Sequence, residues 1–267
     1  MPDIKLVVSD MDGTFLSPNK QISPAAREVV AALRCQGVAF TFITGRPRFP
    51  ALHYAKLLDL TMPVVACNGA LIFQNEDTYF RRTFPLAPLQ DFLQCAHADG
   101  LTVLYSLHDI EYAFSDTHWT RHHRSLGRDI ALRPFADDEW SRLEVEKINV
   151  FAREDGSGFA ELVPFIRSLR ESHSISLYGW NGCEIVADKM NKATGLRELC
   201  KLHNIALDQV LAIGDSSNDN PMLEVAGIGC AVQNAAPETK AVADYICQDS
   251  FSAGVAEAIH RFVLDKK

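Results

Sequence analysis

No stretch of the 267 residues approaches the roughly 20 consecutive apolar residues that a membrane helix needs, so a membrane-spanning reading is set aside. Positive charge is also scarce. Lys and Arg number 26 against 34 Asp and Glu, a formal net charge of −8. Duplex nucleic-acid binders gather Lys and Arg against the phosphate backbone, so that function class is excluded, whereas a small anionic ligand needs only a locally positive pocket. No C-x-x-C pair occurs, and the seven cysteines are odd in number and scattered. That usage predicts reduced, mostly buried thiols in a cytoplasmic protein, not a disulfide framework or a zinc site. Met1-Pro2-Asp3 opens no basic region followed by an apolar one, which fits the same location. The P-loop pattern G-x-x-x-x-G-K-[ST] is missing too, which removes the common NTPase class. Internal repeats and low-complexity segments are likewise absent. What remains is an ordinary globular composition, 47% hydrophobic and 22% charged, long enough for one large domain or two smaller ones.

Periodicity divides the chain into three stretches. Ile4–Val8, Val38–Ile43 and Val64–Cys67 are short apolar runs of the kind buried on both sheet faces. Between them, Ser23-Pro24 predicts a helix start, with Ala26, Val29, Val30 and Leu33 at helical spacing and Gly37 at its end. A further helix is predicted over Pro50–Leu58. Strands alternating with helices point to βαβ units and a parallel sheet. From about Phe84 the pattern changes to adjacent strand pairs with a few helices, which reads as α+β. Strands are predicted there around Leu101–Tyr105, Glu111–Phe114, Lys147–Phe151, Ile175–Tyr178 and Glu184–Ala187, with an Asn181-Gly182 hairpin turn between the last two. The first pattern resumes with a strand at Val210–Ile213, a helix through Met222, and a strand at Ile228–Val232. The expected organisation is a discontinuous α/β domain, residues 1–83 and 188–267, with an α+β domain at 84–187 inserted after the third core strand.

Several predicted core strands end in a polar group: Asp10, Thr44 and Asp215. Open parallel sheets bind ligands beyond the carboxyl ends of their strands, so these side chains converge on one crevice. Clustered carboxylates repel unless a cation lies between them, and magnesium suits a few carboxylates plus a substrate phosphate. Asp10 and Asp12 flank Met11 at a strand end, and Gly13 permits a sharp turn. One carboxylate can then serve as nucleophile and the other as acid and base. Thr44-Gly45-Arg46 has the form of a phosphate-binding turn at a helix N-terminus. Lys192 opens a predicted helix, where a cation opposes the dipole, and that placement points to a task elsewhere. In Gly214-Asp215-Ser216-Ser217-Asn218-Asp219, the spacing sets Asp215 and Asp219 around one cation, with Asn218 capping or holding an oxygen. Each segment alone reads equally well as a turn, a cap or a surface lysine. Their coincidence at one sheet edge carries the weight.

These residues resemble the haloacid dehalogenase superfamily, specifically its Cof-type phosphatases with a large inserted cap (subclass IIB). The resemblance runs through D-M-D-G-T (10–14), I-T-G-R (43–46), N-K-A-T-G (191–195) and G-D-S-S-N-D (214–219), with C-N-G-A (67–70) and the tail at 237–246. It implies a Rossmann-like parallel-sheet core with an inserted α+β cap, and a Mg2+-dependent phosphatase acting on small phosphorylated metabolites. By that resemblance Asp10 is the nucleophile that becomes aspartyl-phosphate, and Asp12 is the general acid and then base. Thr44, Gly45, Arg46 and Asn218 would serve phosphate, and Lys192 would neutralise charge. The metal would be held by Asp10, the Asp12 backbone, Asp215 and Asp219. Two departures, Ala193 after the lysine and no acid before Gly254-Val255, lie away from this chemistry.

Substrate choice is expected from the cap. Tyr178, Trp180, Asn181 and Glu184 form one candidate contact segment, and His118, Trp119, His122 and His123 another. The histidines read equally as a solvated helix or loop. A phosphomutase or other phosphotransferase on the same fold stays open as an alternative, as does a non-catalytic phosphometabolite-binding protein. A phosphoacceptor signalling module fits less well, because its acceptor position at the third strand end holds Asn68 here.

Overall fold

The computed structural model describes residues 3–125, 130–178 and 181–265. It divides into two compact units, one made of Met1–Phe80 with Asn191–Lys267 and the other of Arg81–Met190. The first unit begins with β1 (Leu6–Ser9), α1 (Pro24–Cys35), β2 (Ala39–Phe42), α2 (Arg48–Leu57), β3 (Val64–Ala66) and β4 (Leu71–Gln74). Strand β5 (Asp77–Arg81) runs to the boundary. The second unit holds β6 (Phe84–Pro85), α3 (Gln90–Ala98), β7 (Thr102–Leu107), β8 (Ile110–Ala113), α4 (His118–Ser125) and β9 (Ala131–Leu132). It continues with β10 (Glu144–Val145), β11 (Lys147–Phe151), α5 (Val163–Leu169), β12 (His173–Leu177) and β13 (Gly182–Ala187). The first unit then resumes with α6 (Lys192–His203), β14 (Val210–Gly214), α7 (Asn220–Val225), β15 (Ile228–Ala231), α8 (Pro237–Val242), β16 (Tyr245–Ile246) and α9 (Phe251–Ile259).

The apolar runs form a five-stranded parallel sheet in the order β16-β15-β14-β1-β2. Both faces are covered, which is why the strands read as continuous hydrophobic segments. Leu6 and Val8 pack with Val210, Ala212, Leu196, Leu199 and Met222 on one face. Val7 packs with Phe40, Phe42, Ile213, Val29 and Val255 on the other. Helix α1 starts as its sequence dictates: the Ser23 hydroxyl accepts the Ala26 N–H, and Pro24 occupies the first turn. Strand β1 lies between β14 and β2, with later strands on one side and β2 on the other. Its carboxyl end is thus the topological switch point where such sheets bind ligands.

The third strand differs from the simple parallel expectation. The segment after β2 touches it through a single parallel bridge, Ile43 to Val65, while β3 pairs antiparallel with β4 in a separate three-stranded sheet with β5. Neither β4 nor β5 was expected. The reversal is made by Cys67, Asn68 and Gly69, all with positive φ (49, 48 and 100°), a local geometry that hydrophobic periodicity does not signal.

In the second unit, six strands run in the order β12-β13-β11-β7-β8-β9, antiparallel except for the β8–β9 pair. The expected Asn181-Gly182 turn is corrected. The Tyr178 N–H donates to Gly182 O (2.8 Å), the Asn181 N–H donates to Tyr178 O (3.1 Å), and Gly182 already belongs to β13. Glycine is there because a Cβ would lie 2.5 Å from Val150 O on the neighbouring strand. The residue serves close strand approach, not chain reversal.

Candidate active site

Parallel pairing brings the strand-end groups together by register. Ser9 lies opposite both Ile213 and Phe42, so Asp10, Thr44 and the Gly214-Asp215 pair leave the sheet at the same level. The Asp10 N–H donates to Ile213 O and the Ile43 N–H donates to Ser9 O, extending the ladder to the edge of the site. Asp10, Asp215 and Asp219 offer carboxylate oxygens that all lie within 4.8 Å of one another.

Lys192 enters this cluster from the first position of α6. Asn191 caps that helix, its side chain accepting the Thr194 N–H, while the Thr194 hydroxyl accepts the Asn191 N–H. The Lys192 side chain is only 1% exposed, and its ammonium donates to Asp10 Oδ1 at 2.6 Å and Asp219 Oδ1 at 2.5 Å. Asp219 is also committed on its other oxygen, which accepts the Asp215 and Ser216 N–H groups at 3.0 Å each. Asp219 thus anchors both the lysine and the loop. Asp215 accepts the Thr14 hydroxyl at 2.7 Å, and Gly13 packs where a Cβ would be 2.4 Å from its Oδ2. The glycine of the first motif is needed for this approach as well as for its φ of 87°.

Electrostatics follow from this packing. Burial pushes the Asp10 carboxyl up; Lys192 opposes that, and the charges of Asp219 and Asp215 add to it. Asp215 is pushed up to about 6, first by burial and then by the charge of Asp219. Burial alone would lower Lys192, but the Asp10 and Asp219 charges outweigh it and raise it. With all three carboxylates ionised, one ammonium leaves two negative charges unbalanced, and the raised Asp10 and Asp215 carboxyls reflect that strain. A divalent cation with oxygen ligands is the counterpart that this hard donor set fits.

Asp12 lies at the mouth, its side chain 40% exposed, and follows a different logic. Arg46 Nε donates to Oδ2 and Nη2 to Oδ1, both at 2.6 Å, and Lys20 Nζ adds a third bond to Oδ1 at 2.6 Å. Partial burial pushes this carboxyl up, yet the hydrogen bonds and charges of Arg46 and Lys20 outweigh it and hold it well below the usual range. The guanidinium expected to serve phosphate therefore grips Asp12. It also lies 5.0 Å from the Tyr54 ring centroid, and the Tyr54 hydroxyl donates to Lys20 O at 2.9 Å. Lys20 and Tyr54 carried no signal in the sequence, because one sits in a polar loop and the other on a helix face. Thr44 is buried, and its hydroxyl accepts the Arg46 N–H at 3.1 Å, with Gly45 between them in the turn. The Asn218 side-chain amide donates to Asn68 Oδ1 at 3.2 Å and accepts the Ser216 hydroxyl at 2.7 Å.

The second-unit candidates separate. Tyr178 and Glu184 meet through a 2.9 Å hydrogen bond. Glu184 is otherwise held by Lys147 (3.2 Å) and Asn149 (3.4 Å), a buried group that the sequence reading missed. Cross-strand register explains it, since Asn149 lies opposite Glu184. Asn181 is exposed, with its carbonyl accepting the Ala152 N–H. Trp180 lies outside the described residues. On α4, Trp119 stacks on His123 (3.7 Å between centroids) and on Phe151 (4.8 Å). His122 meets His123 edge-on at 5.5 Å, and His118 opens the helix.

A strand-end aspartate held by a buried lysine beside further carboxylates, on a doubly covered parallel sheet, defines a hydrolase of the phosphoryl-transfer type. Residues 7–259 match the haloacid dehalogenase-like hydrolase family, and the chain belongs to that family; it is a phosphatase. It is 28% identical over 262 residues to the 5-amino-6-(5-phospho-D-ribitylamino)uracil phosphatase YcsE of Bacillus subtilis, covering 98% of this chain and 97% of that one. A haloacid dehalogenase-like hydrolase from Bacteroides thetaiotaomicron superposes with a TM-score of 0.80 at 25% identity, covering 97% and 99% of the two chains. The fold is also that of a subclass IIB sugar phosphatase, with a TM-score of 0.83 at 23% identity over 97% and 98% of the chains. Among the described residues no helix is long and apolar enough to cross a membrane.

Proposed function

We propose that this chain hydrolyses phosphate monoesters of small metabolites with Mg2+, through an aspartyl-phosphate on Asp10. The observation that carries the reading is the Asp10–Lys192–Asp219 arrangement beside Asp215, a buried cluster two positive charges short of balance. Asp10, Asp215 and the Asp12 backbone would hold the metal, with Asp219 supporting it; when bound, it supplies charge neutralisation for the approaching phosphoryl group. Asp10 Oδ would attack phosphorus as the ester oxygen leaves, with Lys192 favouring the ionised form of the attacking carboxylate and offsetting the transferring charge. Thr44 and the Gly45 backbone would bind phosphate oxygens. Asp12 would protonate the leaving oxygen and later take a proton from the hydrolytic water. For that it must leave the grip of Arg46 and Lys20, and an arriving phosphate dianion competes for those cations.

The second unit would act as the cap that selects the leaving group. Tyr178 and Asn181 would offer its contacts, with Glu184 orienting the Tyr178 hydroxyl. Sugar phosphates, nucleotides and phosphorylated cofactor precursors are the substrate classes to test. The named substrate of the Bacillus subtilis relative, a phosphorylated ribityl-pyrimidine, belongs in the panel. Phosphate release from p-nitrophenyl phosphate with and without Mg2+, then kcat/KM across such a panel, tests the reading. Isomerisation of a sugar phosphate without net phosphate release would replace it with a mutase.

A further inference from the structure

The Cys67-Asn68-Gly69 turn has no part in the chemistry above, yet three site-bearing segments meet on it. Its backbone holds the Thr44–Arg46 turn at both ends: the Asn68 N–H donates to Thr44 O and the Cys67 N–H to Arg46 O, each at 3.0 Å. Gly69 lies under the start of the helix bearing Lys192, so close that a Cβ there would be 2.2 Å from Asn191 O. The Asn68 side chain reaches the third segment, accepting the Asn218 amide at 3.2 Å inside the loop between Asp215 and Asp219.

This turn is costly to keep. Cys67 and Asn68 are successive non-glycine residues with φ of 49° and 48°, and left-handed backbone costs of order 1 kcal/mol or more at a non-glycine position. Glycine at position 68 would adopt the same backbone freely and keep the N–H that Thr44 needs. The residue present is instead an asparagine whose side chain is 98% buried against Asn218. Left-handed backbone admits asparagine as well as glycine, and the buried amide's bond to Asn218 is what glycine would lack.

We infer that Asn68 is a positioning residue for phosphoryl transfer, fixing the Asn218 side chain toward the bound phosphate and the metal site. The inference rests on the proposed phosphatase reading. The Asn218 amide is held at both ends, its oxygen accepting the Ser216 hydroxyl and its NH2 group donating to Asn68. The Asn68 acceptor sets the aim of that NH2 group from a separate strand end.

Asn68→Gly separates the two uses of this residue, keeping the backbone and removing the amide. The variant is expected to melt at or above the wild-type temperature. Its affinity for inorganic phosphate in Mg2+, read by calorimetry, and its kcat/KM for p-nitrophenyl phosphate should each fall about tenfold, the scale of one lost hydrogen bond. Combining Asn68→Gly with Asn218→Ala should be no worse than Asn218→Ala alone, because both act through one bond. Wild-type phosphate affinity in Asn68→Gly, or losses that multiply in the double variant, would overturn the assignment. So would an Asn68→Gly chain that fails to fold, which would make the amide structural. Wild-type protein that neither binds phosphate nor hydrolyses the ester would instead overturn the functional reading beneath it.

Discussion

The Asp10 cluster of the first unit and the Glu184 cluster of the second bury charge in different ways. In the first, Asp10, Asp215 and Asp219 face a single ammonium, and the site is left short of positive charge. In the second, Glu184 meets Lys147, Asn149 and Tyr178, an anion beside a cation with hydrogen bonds around them. Unpaired buried charge is expensive and persists where a ligand completes it, whereas a balanced network needs none. Imbalance, more than burial, sets the Asp10 cluster apart from the Glu184 cluster.

The comparison breaks most sharply at the nucleophile. Asp10→Asn should lower Mg2+-dependent phosphate release by at least about 10⁴-fold while leaving the fold intact by circular dichroism. Turnover near wild type would remove Asp10 from the chemistry. Asp12→Ala comes next, with a loss of about 10²- to 10⁴-fold and Mg2+ affinity by calorimetry largely kept, because its side chain is bound to cations and not to the carboxylate cluster.

In the second unit the same kind of change should cost stability in place of chemistry. Lys147→Met removes the ammonium beside the buried Glu184 and should destabilise by about 3 kcal/mol in denaturant unfolding. Turnover of a small aryl phosphate by the folded fraction should be nearly unchanged. A large drop in turnover without a stability loss would erase the distinction between the units.

The smallest expected effect concerns pH. Asp215 is raised to about 6, and Asp10 is raised as well, so the metal-free folded state holds protons that the unfolded chain has released. That stabilisation is complete below the ordinary carboxylate pKa and is lost as pH rises through about 6. The melting temperature without metal should fall across this range, and the increment from Mg2+ should be larger above it than below, since the metal needs the ionised carboxylates. An increment independent of pH would place the metal away from Asp215.

Much of this was legible before any coordinates. Asp10, Thr44, Lys192 and Asp215 were marked because strand ends and helix starts are local features, carried by apolar runs, caps and glycines. Arg46 was marked for phosphate, but its bonds to Asp12 were not legible, since spacing does not say which anion a long cation reaches. Lys20 and Tyr54 went unmarked, and Asn68 was marked only within the C-N-G-A stretch with no role, each contributing through a contact between segments distant in sequence. Strand β4 was hidden behind a left-handed turn, and Gly182 looked like a turn residue when it serves strand packing.

The sequence by itself determined the alternation of strands and helices and the types of residue at each strand end, because periodicity and capping are properties of neighbours along the chain. Only the tertiary structure decided which charges meet. Parallel register set Asp10 level with Asp215, the buried stem of Lys192 chose its two acids, and Arg46 and Lys20 closed on Asp12. Those pairings depend on distances between separate segments, and burial then turned them into shifted protonation and an unbalanced charge.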